Sequence, residues 1–158
     1  MSDRNGNRHD DPLALESQVC FALAVASRTV ISVYRPVLEP LGLTHPQYLV
    51  MLALWGSEPL SVTELSRMLE LDLGTLSRLL KRLEAAGLVR RDRNPADERT
   101  LAVALTPKGR ELRQQALAVP GTILERLQMD LDDLVAMRDS LTTVIAAAKA
   151  AQSRTASP

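Results

Sequence analysis

The stretch from Ser61 to Thr106 limits what this chain can become more than any other. It reads SVTELSRMLELDLGTLSRLLKRLEAAGLVRRDRNPADERTLAVALT. Ser61 and Glu64 form a capping box, in which each side chain satisfies a backbone amide at the start of a helix. Val62, Leu65 and Leu69 give that short helix one apolar stripe. Asp72 is placed to cap a second helix, which runs to Ala86 and stops at Gly87. Leu76, Leu79, Leu80 and Leu83 make its core face, and Thr75, Ser77, Arg78, Lys81 and Arg82 are left pointing outward. Leu88 to Arg91 and Thr100 to Leu105 then read as strands, with Leu101, Val103 and Leu105 alternating with Ala102 and Ala104. Asp92 to Arg99 between them is polar and rich in turn formers. Helix, turn, helix, hairpin is the order of a winged helix-turn-helix. The expected fold is therefore mainly α with a small β-hairpin wing.

Charge points the same way. The formal net charge is +0, yet residues 75–110 carry nine basic side chains (Arg78, Lys81, Arg82, Arg90, Arg91, Arg93, Arg99, Lys108, Arg110) against four acidic ones, a local +5. Residues 1–61 carry four basic and six acidic. A polyanion partner for one region explains this asymmetry, with a solvated charged face as the plainer alternative. For double-stranded DNA, Thr75, Ser77 and Arg78 lie in the early turns that meet base edges in the major groove. Lys81 and Arg82 are better placed for phosphates, and Arg91 and Arg93 extend the basic surface into the wing. Asp97 and Arg99 are two residues apart on an extended segment, so Asp97 is positioned to brace Arg99 at a hairpin tip suited to the minor groove.

The flanks are helical. Leu15, Val19, Ala22, Ala26 and Val30 recur at spacings of three and four from Pro12 to about Val33, and Pro36 is expected to end or kink that helix. Thr44 and Gln47 form a further capping box for a helix from Pro46 to about Trp55. Thr106 and Pro107 open another, which continues to about Ala118 before Pro120-Gly121 breaks it. Ile123 to about Ala151 gives a long seam with a kink near Asp130. Reading DNA does not require a seam this long. We expect it to pack on the first helix and on a second subunit, as a two-fold homodimer reading a pseudo-palindromic operator. The alternative is a seam satisfied within one chain. The chain is thus read as one domain, 1–158. Within it, 12–35 and 121–151 are dimerisation helices, 61–106 is the reader, and 1–11 and 152–158 are disordered.

Several classes are excluded on this reading. A single cysteine, Cys20, leaves no internal disulfide and no cysteine zinc cluster, and suits a reducing cytoplasm. Val19 to Ala26 looks like a signal-peptide core, but acidic residues precede it where positive ones are required. Charges are expected to interrupt every membrane-spanning candidate. No metal or cofactor site is read, nor any membrane partner.

The chain resembles the MarR family of winged-helix regulators, and more closely its organic-hydroperoxide-sensing, OhrR-like branch. The residues that carry this run from about Leu15 to Leu117: Val19-Cys20-Phe21-Ala22-Leu23, Tyr34-Arg35-Pro36, Leu41-Gly42-Leu43-Thr44, Pro46 to Leu52, Gly74-Thr75-Leu76, Leu79 to Val89 and Asp97-Glu98-Arg99. The resemblance implies a homodimeric repressor that leaves DNA when a cysteine near the start of the first helix is oxidised, and Cys20 matches that cysteine. In the branch two tyrosines hydrogen-bond the thiolate. Tyr34 matches the first, whereas the second position, just before Pro46, is His45 here.

This departure leaves three roles open for His45: a cation that favours the thiolate, a neutral hydrogen-bond donor, or a plain first-turn residue. Tyr48 is a possible substitute, or a core aromatic. Cys20 is either the reactive thiol or a small buried hydrophobe. With no second cysteine, oxidised Cys20 would stop at the sulfenic acid, form a mixed disulfide with a small thiol, or overoxidise. The main alternative is a MarR-type repressor released by a small aromatic or apolar ligand. A peroxidase, which would need turnover machinery, and a winged helix used only for protein contact are the remaining classes; the chain is not read as an enzyme.

Overall fold

The computed structural model describes residues 11–94 and 97–155, without the side chains of residues 94–100. A short 3-10 turn at Leu15–Ser17 precedes helix α1 (Val19–Leu38). Then follow α2 (His45–Gly56), strand β1 (Leu60–Ser61), α3 (Val62–Leu69), α4 (Leu73–Ala85), β2 (Val89–Asn94) and β3 (Asp97–Leu105). Helices α5 (Pro107–Ala116), α6 (Val119–Leu127) and α7 (Leu131–Thr155) complete the chain. Residues up to Val119 form one compact unit and those from Pro120 a second.

The caps behave as the sequence predicts. The Thr44 and Ser61 side chains each accept from the amide three residues on, while Gln47 and Glu64 reach back to the cap amide. Asp72 accepts from the Thr75 amide at 2.8 Å and so starts α4. Leu76, Leu79, Leu80 and Leu83 of α4 are all buried. With Leu38, Val50, Met51, Leu54, Leu65 and Val103 they form the core of the first unit, on which α4 and the wing are mounted.

The wing departs from expectation in two ways. It has three strands in the order β1-β3-β2, because Leu60 and Ser61 pair with Val103 and Ala102 on the far edge of β3. A two-residue strand is too short to show any alternation, so the sequence could not announce it. Alternation also fails along β3: Ala102, Val103, Ala104 and Leu105 are all buried, whereas Leu101 is exposed. A central strand covered on both faces has no polar side, and small alanines fit where backbone approaches closely.

Helix ends shift as well. Pro36 lies inside α1, which continues to Leu38. Pro120 does not break a helix; it follows Val119 in the first turn of α6, where the missing N–H costs nothing. The expected kink near Asp130 is a break between α6 and α7, and α7 runs past Ala151 to Thr155. The expectation of disorder for residues 1–10 and 156–158 lies outside the described residues.

The expectation that charges interrupt every span needs correcting. Among the described residues one helical run, Val19–Leu41, is long and apolar enough by length and composition to cross a membrane, with a mean hydropathy of 1.3. Its apolar surplus is uncovered within the chain: Leu38 is the one buried residue of α1, while Val19, Phe21, Val25, Val30 and Ile31 are exposed. Helix α7 likewise buries none of its residues, and Leu131, Met137, Val144 and Ile145 are exposed.

Helix α5 is latched to the end of α4. Thr106 Oγ1 donates to the Gly87 carbonyl (2.6 Å), the Thr106 amide to the Leu88 carbonyl (3.1 Å) and Lys108 Nζ to the Ala86 carbonyl (2.9 Å). Gly109 makes this possible, since a Cβ there would lie 2.1 Å from the Leu88 carbonyl oxygen. Gly109→Ala is therefore expected to destabilise the protein by about 3 kcal/mol, the upper range for overpacking a rigid contact. A denaturant midpoint equal to that of the unchanged protein would show that this contact yields freely.

Candidate functional site

Two groups of side chains stand out, and α2 runs between them. The first is the outward face of α4 with the wing. Arg78, Lys81 and Arg82 are exposed on α4, and Thr75 and Ser77 are half-buried beside them. The Thr75 hydroxyl donates to Asp72 Oδ2 at 2.6 Å, so its proton is committed to the cap and its lone pairs remain free to accept. The Thr75 hydroxyl and amide together hold the Asp72 carboxyl below its usual range.

In the wing, Arg91 is held by Glu84 of α4 at 2.8 Å, with both side chains mostly covered. Its guanidinium thus fastens strand to helix, and the same bond raises its pKa further. Arg93 is exposed on β2. The bracing expected between Asp97 and Arg99 lies outside the described residues. The same geometry is realised on β2, where Arg90 Nε meets Asp92 Oδ2 at 2.7 Å. Arg90 belongs to the basic run of residues 75–110, and its spacing of two from Asp92 is the sequence signal for this pair.

The second group is aromatic. Tyr34, late in α1, meets His45 at the start of α2, with ring centroids 4.9 Å apart at 67°. Tyr34 also lies 6.2 Å from Tyr48. The early capping box places His45 and Tyr48 on successive turns of α2, so both face the end of α1. Burial lowers the pKa of His45 below 6.5, and burial, then the neighbouring Tyr34, raises that of Tyr48. Rings are in contact, yet no hydrogen bond within the chain joins these three side chains among the described residues.

Cys20 is not part of this group within one chain. It is exposed in the first turn of α1. Fourteen residues separate it from Tyr34 on the same helix, about 21 Å along the axis, well beyond the reach of a tyrosine side chain. A cavity of about 500 Å³ lies beside the cluster, lined by Ile31, Arg35, Glu39, Leu43, His45 and Pro46 among others. No group of three or more metal-ligating side chains occurs among the described residues.

The depressed His45 pKa makes a testable statement. The unfolded chain takes up this proton near 6.5, the folded chain at lower pH. The neutral ring's contribution to stability is therefore fully present above pH 6.5 and is lost as pH falls through the folded value. His45→Gln should remove that part of the acid-side loss that sets in below pH 6.5, seen in denaturant midpoints against pH. An imidazole midpoint at or above 6.5 by NMR would contradict the burial argument.

Comparison with known proteins agrees with this geometry. The MarR family profile matches residues 43–101. The organic hydroperoxide resistance transcriptional regulator of Bacillus subtilis (strain 168) is 41% identical over 135 residues, covering 85% of this chain and 92% of that protein. Among solved structures, the transcriptional repressor CouR bound to a 23-mer DNA duplex superposes with a TM-score of 0.76 at 28% identity, covering 85% of this chain and 97% of that one. Reduced AbfR bound to DNA gives 0.72 at 31% identity, covering 83% and 92%. Identity at this level over nearly the whole length, together with a capped helix-turn-helix and a three-stranded wing, shows that the chain belongs to the MarR family of winged-helix transcriptional regulators and is similar to its organic-hydroperoxide branch.

Proposed function

We propose that the protein is a homodimeric repressor that binds a pseudo-palindromic DNA operator and releases it when an organic hydroperoxide oxidises Cys20. The observation that carries this reading is the Tyr34–His45–Tyr48 cluster, whose side chains share no hydrogen bond among the described residues, in a chain whose one cysteine lies on the same helix about 21 Å from Tyr34. Such a distance rules out a meeting within one subunit. It is met if two α1 helices pack antiparallel across a two-fold axis, so that Cys20 of the partner subunit faces Tyr34 and His45. The exposed apolar residues of α1 and α7 supply the surface for such a dimer. A second copy suits α1 better than lipid does, since Arg28 lies midway along it.

The chemistry is a two-electron exchange. The Cys20 thiolate attacks the terminal oxygen of the hydroperoxide, the O–O bond breaks, the OH group stays on sulfur, and the departing alkoxide takes up the proton that the thiol gave up on ionising and leaves as the alcohol. The sulfur becomes a sulfenic acid, and a small cellular thiol then condenses with it, releasing water. His45 is neutral near pH 7, because burial disfavours its cation, so its part is that of a hydrogen-bond donor to the thiolate. One relative is a regulator of organic hydroperoxide resistance, which supports the choice of signal, and AbfR is bound to DNA in both its reduced and its overoxidised form, which supports the DNA end alone.

On the DNA side, Thr75, Ser77 and Arg78 take base edges, Lys81 and Arg82 take phosphates, and Arg93, Asp97 and Arg99 carry the wing toward the minor groove. Arg91 acts by holding the wing on α4. Arg78→Ala is expected to cost about 1–3 kcal/mol and relax preference at one base pair, whereas Arg82→Ala weakens all sequences alike and lowers the salt slope by about 0.9. Equal effects of both on all sequences would remove Arg78 from base reading.

A second reading rests on the cavity beside His45. With its apolar lining and Arg35, it suits a small apolar or aromatic ligand that releases the operator while Cys20 stays a spectator. One experiment separates the two: operator binding by fluorescence anisotropy for the wild type and Cys20→Ser, with and without cumene hydroperoxide, and mass spectrometry of Cys20. The sensing reading expects wild-type release with an adduct or oxygen on Cys20, and a Cys20→Ser protein that holds its operator. Release that persists in Cys20→Ser, or a wild type unmoved by peroxide, would favour the ligand reading.

A further inference from the structure

The chain has four residues of the Phe, Trp and Tyr type, and three of them touch in series. Tyr34 meets His45 and Tyr48, and Tyr48 meets Trp55 with centroids 6.4 Å apart at 66°. In a protein otherwise packed with leucine and alanine, this is a continuous line of rigid planar groups. It follows α2, with His45 on its first turn and Trp55 near its last, about 15 Å further along the axis.

The far end of the line is tied to the reader. Trp55 Nε1 donates to the Gly109 carbonyl at 2.9 Å. Gly109 is the residue whose backbone lies against Leu88, just past the end of α4. Just beyond α2, Glu58 uses both carboxylate oxygens: Oε2 accepts from the Leu105 amide at the end of β3 (2.6 Å), and Oε1 meets Arg110 Nε of α5 (2.7 Å). One end of α2 thus touches the aromatic cluster, and the other grips the base of the wing and the helix latched to α4.

We propose that α2 is the transmission element of this protein, with Trp55 and Glu58 as its positioning residues: a change at the Tyr34–His45 pair is passed through Tyr48 and Trp55 to Gly109, and so to the seating of α4 and the wing. Close-packed interiors deform between discrete arrangements rather than continuously, so a displaced ring in such a line shifts its neighbour. A hydrogen bond at the end gives the line a directional output that leucine packing would lack. The proposal rests on the cluster being the sensing end for the identity of the signal, but the mechanical link is independent of that signal. Coupling is reciprocal, so operator binding must also be felt at His45.

The test uses the full-length protein and two measurements. The first is operator affinity, by anisotropy, with and without cumene hydroperoxide. In the wild type, oxidation should weaken binding by a factor within the roughly 5- to 150-fold range of allosteric coupling, and Trp55→Phe, which keeps a ring but loses the donor, should reduce that factor to about 3 or less. The second is the NMR position of the His45 imidazole in the reduced protein. It should move on adding operator to the wild type and stay in place in Trp55→Phe. If Trp55→Phe does not fold, Glu58→Gln, which breaks the Arg110 pair, takes its place with the same expectations. Undiminished release together with an undiminished His45 shift in the variants would overturn the proposal, as would a wild-type His45 that does not sense the operator. If peroxide fails to release the wild type while the His45 shift is present and needs Trp55, the transmission stands and the peroxide signal falls.

Discussion

At Gly109 the first turn of α5 comes so close to the backbone of Leu88 that no side chain fits between them. Much of the reader depends on this approach. It lets Thr106 and Lys108 complete the carbonyls at the end of α4, and it brings the Gly109 carbonyl within reach of Trp55. Recognition helix, wing base and α2 are thereby held by a few directional bonds around one glycine. A leucine-rich core fixes how much surface is buried, but it slides more readily than a hydrogen-bonded latch. Arg91 and Glu84 add an ion pair that spans α4 and β2 at the same junction.

The second physical fact is what the chain leaves undone. Helix α1 buries only Leu38 of its residues and α7 buries none. Apolar surface of this extent marks an interaction face. The same exposure gives α1 the length and hydropathy of a membrane span, so hydropathy alone cannot tell lipid from a second subunit. Arg28 in mid-helix speaks against lipid.

Much of this was legible in the sequence because its causes are local. A cap needs only a serine, threonine or aspartate three residues before an amide, and the four caps at Thr44, Ser61, Asp72 and Thr106 appear where the sequence places them. The leucine face of α4 follows from helical period alone. Strand β1 was not legible, since two residues carry no period, and neither was the double burial of β3, which depends on what covers each face. Pro120 misled because a proline is excluded from a helix only where its ring or its missing amide conflicts with a turn before it, and in the first turn of α6 there is none.

For the site, the sequence by itself determined which chemical groups exist: one thiol, two tyrosines, a histidine at the start of a capped helix, and a basic surface on α4 and the wing. Those are properties of residue type and local spacing. Only the tertiary structure decided which of them meet. It brought Tyr34, His45 and Tyr48 together across two helices, left Cys20 at the other end of α1, and turned Arg91 and Lys108 from free cations into fasteners. It also ran Trp55 into α5, a contact between residues 54 positions apart that no local pattern encodes. The reason is that caps and periods act within a few residues, whereas contacts between elements are set by which apolar faces find each other when the chain closes.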